Sequence, residues 1–309
     1  MRKKIIALAA AGILLTGCGT VQTSVSDGSE KIMTIGNKTY TKNDEYNLIK
    51  MVQGPTLALQ GAQKMIYDKE VGTGDDIKKE AQEMYDQYAG AVAGFEDSLK
   101  QYGYKDKEDY MNSVVIPSIQ AQKLLEKYMD EAKDTIRATY KPTVAAVIAC
   151  SNEDNAKKAL EALKNGENPA AVGSQYAAEG ASYTGTEQVI STLNTDLPTR
   201  VINALNEATQ PGILDEVFTT DTSTDNKTYY VAQLISQDYG ANLKKIPEAL
   251  GKDKQINSDC VVFYLTKYKF EVHDQYVFDY FKATNPEYLV TRPDLAKSAS
   301  SSSSAGTSK

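Results

Sequence analysis

What most constrains this chain is a change of periodicity at Tyr140-Lys141-Pro142. From Thr41 to about residue 134, apolar side chains recur at threes and fours, the helical period. The clearest stretch opens at Asp75-Asp76, acids suited to a helix N-terminus. It carries Ile77, Ala81, Met84, Tyr85, Tyr88, Val92, Phe95, Leu99 and Tyr102, with Gly103 to end it. A later helix carries Val114, Val115, Leu124, Leu125, Tyr128 and Met129, with a kink expected at Pro117. Beyond Pro142, Val144 to Cys150 is an unbroken apolar run of strand length. Ser151 then caps a helix bearing Ala156, Ala159, Leu160 and Leu163, closed by Asn165-Gly166. A short helix over Pro169 to Tyr176, a Gly/Ser/Thr loop and a helix from about Leu197 to Asn206 follow. Strands over Ile213 to Phe218 and Tyr229 to Ile235, joined by the polar loop Thr219 to Thr228, close the unit. Helical, aromatic-rich sequence returns from Asn257 to Tyr288. The fold class expected is α+β, a helical lobe built from N- and C-terminal segments around an inserted α+β domain.

The first residues set the compartment. Met1-Arg2-Lys3-Lys4 is a short positive start, and Ile5 to Leu15 is an apolar run of eleven residues. That is too short for a bilayer core of about 30 Å, which takes roughly 20 helical residues. Leu15-Thr16-Gly17-Cys18 follows, so the layout is that of a secretory signal. It resembles a lipobox, in which the thiol of Cys18 takes a diacylglycerol and its new amino group is acylated. A plain secretory signal with an incidental cysteine is the weaker reading, because Cys18 falls directly after small residues. Residues 1–17 are therefore expected to be a signal peptide. Residues 18–30 are expected to be a Ser/Thr/Gly-rich lipidated tether, and 291–309 a disordered Ser-rich tail. Between them, 31–141 and 239–290 make the helical lobe and 142–238 the inserted domain. Near the start, Gly36-Asn37 between two apolar runs marks a hairpin turn. Thr41-Lys42-Asn43-Asp44 is close to a capping box with Asp44 in the acidic place.

Composition excludes several classes. A net charge of −7 argues against nucleic acid as a partner, since phosphate-backbone binding needs a basic face. Past Cys18 the cysteines are Cys150 and Cys260; a disulfide is permitted outside the cell, but two free, half-buried thiols fit their contexts better. There is no CxxC, His-x-His or HExxH, and the single histidine, His273, cannot build a zinc site by itself, so no metal and no cofactor are expected. Asp75-Asp76 reads better as a helix start than as paired catalytic carboxylates. Ser191 and Ser236 have no histidine base near them in sequence, which leaves a hydrolase triad without support. The twenty tyrosines, against six Phe and no Trp, should sit half-buried on helix faces, some lining a groove for extended peptide.

Several stretches together resemble the PrsA/SurA family of extracytoplasmic foldases. A lipobox and tether precede Ile35-Gly36-Asn37-Lys38-Thr39-Tyr40-Thr41-Lys42-Asn43-Asp44-Glu45-Tyr46, similar to the family's short hairpin and first helix. Tyr102-Gly103-Tyr104 and the run Gln122 to Tyr128 resemble its next helix. Tyr140-Lys141-Pro142 leads into a parvulin-like strand, then Ala159 to Glu167 and Tyr176-Ala177. The resemblance covers nearly the whole chain after Cys18. It implies a helical lobe holding unfolded exported polypeptides and a parvulin-type peptidyl-prolyl isomerase domain. It further implies a place on the outer face of the cell membrane, held there by the lipid, and it leaves a homodimer open. Uncatalysed prolyl isomerisation takes tens to hundreds of seconds, which gives a foldase its task. Parvulins carry two groove histidines; laid onto this chain, those positions fall on Val147 and Tyr230. Valine offers no donor or acceptor, so the groove is expected to be degenerate and isomerase activity weak or absent. The competing readings are a working isomerase with a non-histidine groove and, from another class, a solute-binding lipoprotein of a transporter. The helical period of 41–134 counts against the latter.

Overall fold

The structure, a computed structural model, describes residues 25–220 and 227–296. The leader, Cys18 and the Ser-rich stretch from 297 lie outside the described residues. Those residues form an α+β fold in two compact units, one made of 25–70 with 261–296 and the other of 71–260. Among them no helix is long and apolar enough to cross a membrane.

The first unit begins earlier than the sequence suggests. Val25 to Glu30, expected as tether, is folded onto the start of the first helix. The Gly28 N–H donates to the Val25 carbonyl (3.0 Å), Asn43 N–H to the Gly28 carbonyl (2.9 Å) and Lys42 N–H to the Glu30 carbonyl (2.9 Å). Strands β1 (Lys31–Ile35) and β2 (Lys38–Thr41) pair antiparallel across a turn in which Gly36 takes φ +60°, as the Gly-Asn signal implies. The capping box forms reciprocally. Thr41 N–H donates to Asp44 Oδ2 (2.8 Å), and Asp44 N–H donates to Thr41 Oγ1 (3.3 Å). The Thr41 hydroxyl also donates to Asp44 Oδ2 (2.7 Å), and this bond, with that from the Thr41 N–H, holds the Asp44 carboxyl below its ordinary range. Helix α1 (Lys42–Glu70) follows and runs on through Pro55.

In the second unit the long helix expected from Asp75 to Tyr102 is two: α2 (Asp75–Ala91) and α3 (Phe95–Gln101). Gly94 stands between them at φ +72°, and the turn brings the Phe95 ring edge-on to Tyr85, centroids 5.6 Å apart. Phe95 in turn packs on Tyr110 at 5.7 Å. Aromatic packing thus outweighs the continuous helical period. Helix α4 (Lys107–Tyr110) passes through one wide π turn, Met111–Val115, into α5 (Ile116–Glu131). Pro117 sits in its first turn, so the irregularity expected at the proline is a widened turn on its N-terminal side. Helix α6 (Lys133–Tyr140) then ends at Lys141, φ +46°, directly before Pro142.

The sheet follows. Strand β3 (Thr143–Cys150) is buried at every residue. Helix α7 (Glu153–Lys164) is capped by Asn152, whose Oδ1 accepts from Asn155 N–H at 2.8 Å; the expected cap, Ser151, lies one residue too early. Helix α8 (Pro169–Tyr176) precedes β4 (Thr184–Ile190), a strand inside the stretch read as loop. Helix α9 (Thr199–Glu207) leads to two short strands, β5 (Gly212–Ile213) and β6 (Phe218–Thr219), where one continuous strand was expected. Both pair with β7 (Tyr229–Ser236), and the antiparallel order is β4-β3-β7-β5.

Helices α10 (Lys245–Leu250), α11 (Lys254–Lys267) and α12 (Gln275–Thr284) complete the chain. In the first unit, α12 closes on α1. Val277, Phe281 and Leu289 form a buried cluster against Ala58 and Leu59, and Leu295, in a helical turn at 293–296, joins it. Residues 291–296, expected as disordered tail, are therefore part of this unit. Asp274 Oδ1 accepts from the Val277 N–H (3.1 Å), capping α12, and Asp274 Oδ2 meets the ammonium of Lys50 at 2.8 Å. Tyr276 Oη donates to the Met51 carbonyl (2.8 Å) and Tyr268 Oη to Glu70 (2.5 Å).

Candidate functional site

The two positions singled out in the sequence lie on one face of the sheet. Across β3 and β7, Ala149 pairs with Tyr230 and Val147 with Ala232, and residues two apart on a strand share a face. Val147 is 0% exposed and Tyr230 6%. Leu197, Phe218 and the α9 residues Val201, Ile202 and Leu205 cover both in one apolar cluster. On the other face Ile148, Cys150 and Val231 pack under Ala156, Ala159 and Leu163 of α7 and Val172 of α8. Cover on both faces is the physical reason β3 reads as an unbroken apolar run.

The α8–β4 contact is very close. A Cβ on Gly173 would stand 1.8 Å from the Thr184 carbonyl oxygen, and one on Gly185 2.0 Å from that of Pro169. Gly185 also holds φ +77°. Thr184-Gly185, at the start of β4, is thus the point where a helix lies directly on a strand.

Among curated proteins, the foldase PrsA of Streptococcus mutans is 28% identical to this chain over 285 residues, covering 84% of it and 80% of the relative. The PrsA foldase of Enterococcus faecalis is 28% identical over 269 residues, with 80% and 76% covered. The chain is a relative of the PrsA foldases. No family model matches it. Among solved structures, a PrsA from Bacillus cereus, described as a peptidylprolyl isomerase, aligns at a TM-score of 0.45 and 18% identity, covering 84% of this chain and 99% of that one. PrsA from Streptococcus pneumoniae aligns at 0.40 and 20%, with the same coverage.

In this PrsA relative a polar set that the sequence did not single out lies beside Tyr230. Tyr183, buried on the same face, meets Tyr230 edge-on, ring centroids 6.5 Å apart. Its hydroxyl donates to Asp196 Oδ1 (2.7 Å) and accepts from Asn194 Nδ2 (3.3 Å). Asn194 Oδ1 accepts from the Ser191 N–H at 2.8 Å. Burial first, and then the bond to Asp196, push the Tyr183 phenol well above its ordinary range, and burial raises Tyr230 too. Both are neutral phenols near neutral pH and can donate a proton in a hydrogen bond but not act as a base. Asp196 stands in a loop with no periodicity, so no sequence signal marked the pair.

The other candidates have structural roles in this PrsA relative. Asp75 and Asp76 stand in the first turn of α2. Ser191 Oγ accepts from the Leu193 N–H (3.2 Å), and Ser236 Oγ from Asp238 N–H (3.1 Å) and Asn242 Nδ2 (2.9 Å). His273 is exposed, 4.0 Å from Glu271, and the α12 cap beside it is Asp274. Cys150 and Cys260 are buried free thiols; burial pushes Cys150 up to about 11, and burial with Asp259 pushes Cys260 up to about 12. Neither forms the thiolate that nucleophilic chemistry needs. The exposed large apolar side chains of the first unit are Ile32, Met33 and Ile35 on the hairpin and Leu48, Ile49 and Val52 on α1, with Leu57 and Met65 further along. An apolar cleft of about 260 Å³ opens beside Met65, lined by Ala62, Ile66, Leu265, Tyr268 and Phe270.

Proposed function

We propose that this chain is a membrane-anchored extracytoplasmic foldase that assists exported polypeptides after translocation, and that its parvulin-like domain, residues 142–238, has little or no isomerase activity. The observation that carries the second half is the packing of Val147 and Tyr230. The two places where the resemblance calls for imidazole are filled by a fully buried valine and a nearly buried phenol beneath α9. A peptide proline has no open surface there to meet, and valine has nothing to offer it. Client holding asks for less. Contiguous exposed apolar surface is enough, and patches of a few hundred Å² commonly mark binding sites. The exposed Leu48, Ile49 and Val52 fall within one arc of α1 and supply such surface, and Met65 beside its cleft adapts to varied partners. That the curated relatives are foldases favours this reading over a transporter's solute-binding lipoprotein. The core clusters on the two faces of the sheet draw only on residues between Ala145 and Leu234, which supports 142–238 as a domain with its own core inside the compact unit 71–260.

Refolding of a proline-limited substrate tests the groove. The mature chain should leave the slow phase at its uncatalysed rate while suppressing aggregation of the same substrate. Clear acceleration abolished by Tyr230→Phe would overturn the proposal in favour of a working isomerase, a reading that draws on the buried Tyr183 beside Tyr230 and its bonds to Asp196 and Asn194. The anchor is tested separately. Cys18→Ser should move the protein out of the membrane fraction or leave it uncleaved. Mass spectrometry of the wild type showing an unmodified N-terminus other than Cys18 would end that part of the proposal.

A further inference from the structure

We infer that the β1–β2 hairpin is a membrane-surface contact, seating the first unit on an anionic bilayer; the inference rests on the lipid-anchor reading above. Met33, Ile35 and Tyr40 share one face of the hairpin, because Met33 pairs with Tyr40 and Ile35 with Lys38. Met33 is 51% exposed and Ile35, beside the turn, 77%. A shallow apolar hollow is lined by these three with Lys38 and Thr39. A small two-stranded ribbon gains nothing in water from leaving such side chains bare.

Charge identifies the occupant. The chain carries −7 overall, yet from Lys31 to Asn43 it has three lysines and no acid. Lys42 is engaged by Glu30. Lys31 and Lys38 stand at opposite ends of the hairpin on exposed backbone. Apolar side chains flanked by lysines, with a tyrosine among them, are the composition of an interfacial anchor on anionic lipid.

Chain length identifies the place. Val25 is already fixed to α1 through Gly28 and Asn43, so only the residues between Cys18 and Val25 separate the lipid from the folded unit. Fully extended, that span reaches at most about 25 Å. The strands are about 17 Å long, so wherever the span is short of full extension by about a third, a hairpin turned toward the bilayer brings its tip to the headgroups. At such a distance the anchor makes the second contact intramolecular, and a weak contact suffices.

The test uses the mature chain with Cys18→Ser and an N-terminal histidine tag, held on vesicles through a nickel-chelating lipid so that it does not depend on acylation. An environment-sensitive fluorophore is placed at Ile35→Cys or, as control, at the exposed Tyr102→Cys. On phosphatidylcholine vesicles with about a third phosphatidylglycerol, brominated acyl chains should quench the probe at 35 about twofold or more, and the probe at 102 little. Lys31→Gln with Lys38→Gln should remove most of that difference. Equal exposure of both probes on the anionic vesicles overturns the inference. So does protection of position 35 that appears only on adding an unfolded polypeptide or only as protein concentration rises, which would assign the hairpin to a client or to a second copy. Failure of the anchor reading is seen elsewhere, in the mass of the wild-type N-terminus, and is not confused with failure of the hairpin.

Discussion

Gly173→Ala should unfold the sheet domain. The added methyl would stand 1.8 Å from the Thr184 oxygen and 2.3 Å from its carbonyl carbon, both backbone atoms of β4. A flexible side chain could swing aside; a strand hydrogen-bonded to β3 cannot, except by moving the whole edge. Overpacking a core typically costs 1–3 kcal/mol, and with backbone as the obstacle the loss should reach about 3 kcal/mol or more. Chemical denaturation followed by near-ultraviolet dichroism measures it. Gly61→Ala is the control, since it lies in α1 with nothing within 4 Å of its added Cβ. It should be neutral or stabilising by up to about 1 kcal/mol. A Gly173→Ala protein that melts within about 1 kcal/mol of wild type would show that α8 does not lie on β4 as described.

Asp274→Ala should be nearly as damaging to the first unit, through two losses at once. It removes the cap of α12 and the charge partner of Lys50, which is only 5% exposed. Burial alone would raise the Asp274 carboxyl, but the bonds from Lys50 and the Val277 N–H outweigh it and hold the group below its ordinary value. Losing a cap costs about 1 kcal/mol and breaking a largely buried pair a few more, discounted here because Asp274 is itself partly exposed. About 2–3 kcal/mol is the expected total. The sign of the pH dependence follows. A carboxyl whose folded pKa is depressed contributes stability that is complete above its unfolded value of about 3.9 and is lost as pH falls through the folded value. Wild type and variant should therefore differ fully near neutrality and converge below about pH 4. A difference unchanged at low pH would mean that the charge of Asp274 contributes nothing.

What the sequence made legible was local. The hairpin came from Gly36-Asn37, the start of α1 from Thr41 and Asp44, and β3 from its apolar run, because each depends on neighbours in the chain. The break at Gly94 was hidden, since Val92, Phe95 and Leu99 keep the helical period even though Phe95 turns to stack on Tyr85. Strand β4 was hidden by its composition. Thr184, Thr186, Glu187 and Gln188 give no alternation of apolar and polar residues, and the strand is specified by β3 beside it and α8 upon it. The Lys50–Asp274 pair joins residues from opposite ends of the chain and left no trace in either local sequence. At the candidate site, Val147 and Tyr230 could be brought to one face by register alone. The Tyr183–Asp196 bond could not, because it depends on how a loop folds back.

The first unit has a consequence for the order of events as the chain is made. Helix α1 is complete by Glu70, but Ala58 and Leu59 find their partners only in Val277, Phe281 and Leu289. Strand β3 likewise ends at Cys150 and waits for β7, with Tyr229 its partner, before it is covered on both edges. Contacts so distant along the chain form slowly, because the loop must close before they are rewarded. The hairpin and the first turn of α1 can pair at once, but the face of α1 around Ala58 and Leu59 is among the last surfaces to be buried, after 71–260 has been made. A chain cut short before Gln275 would leave Ala58 and Leu59 without Val277, Phe281 and Leu289, however well its sheet had formed.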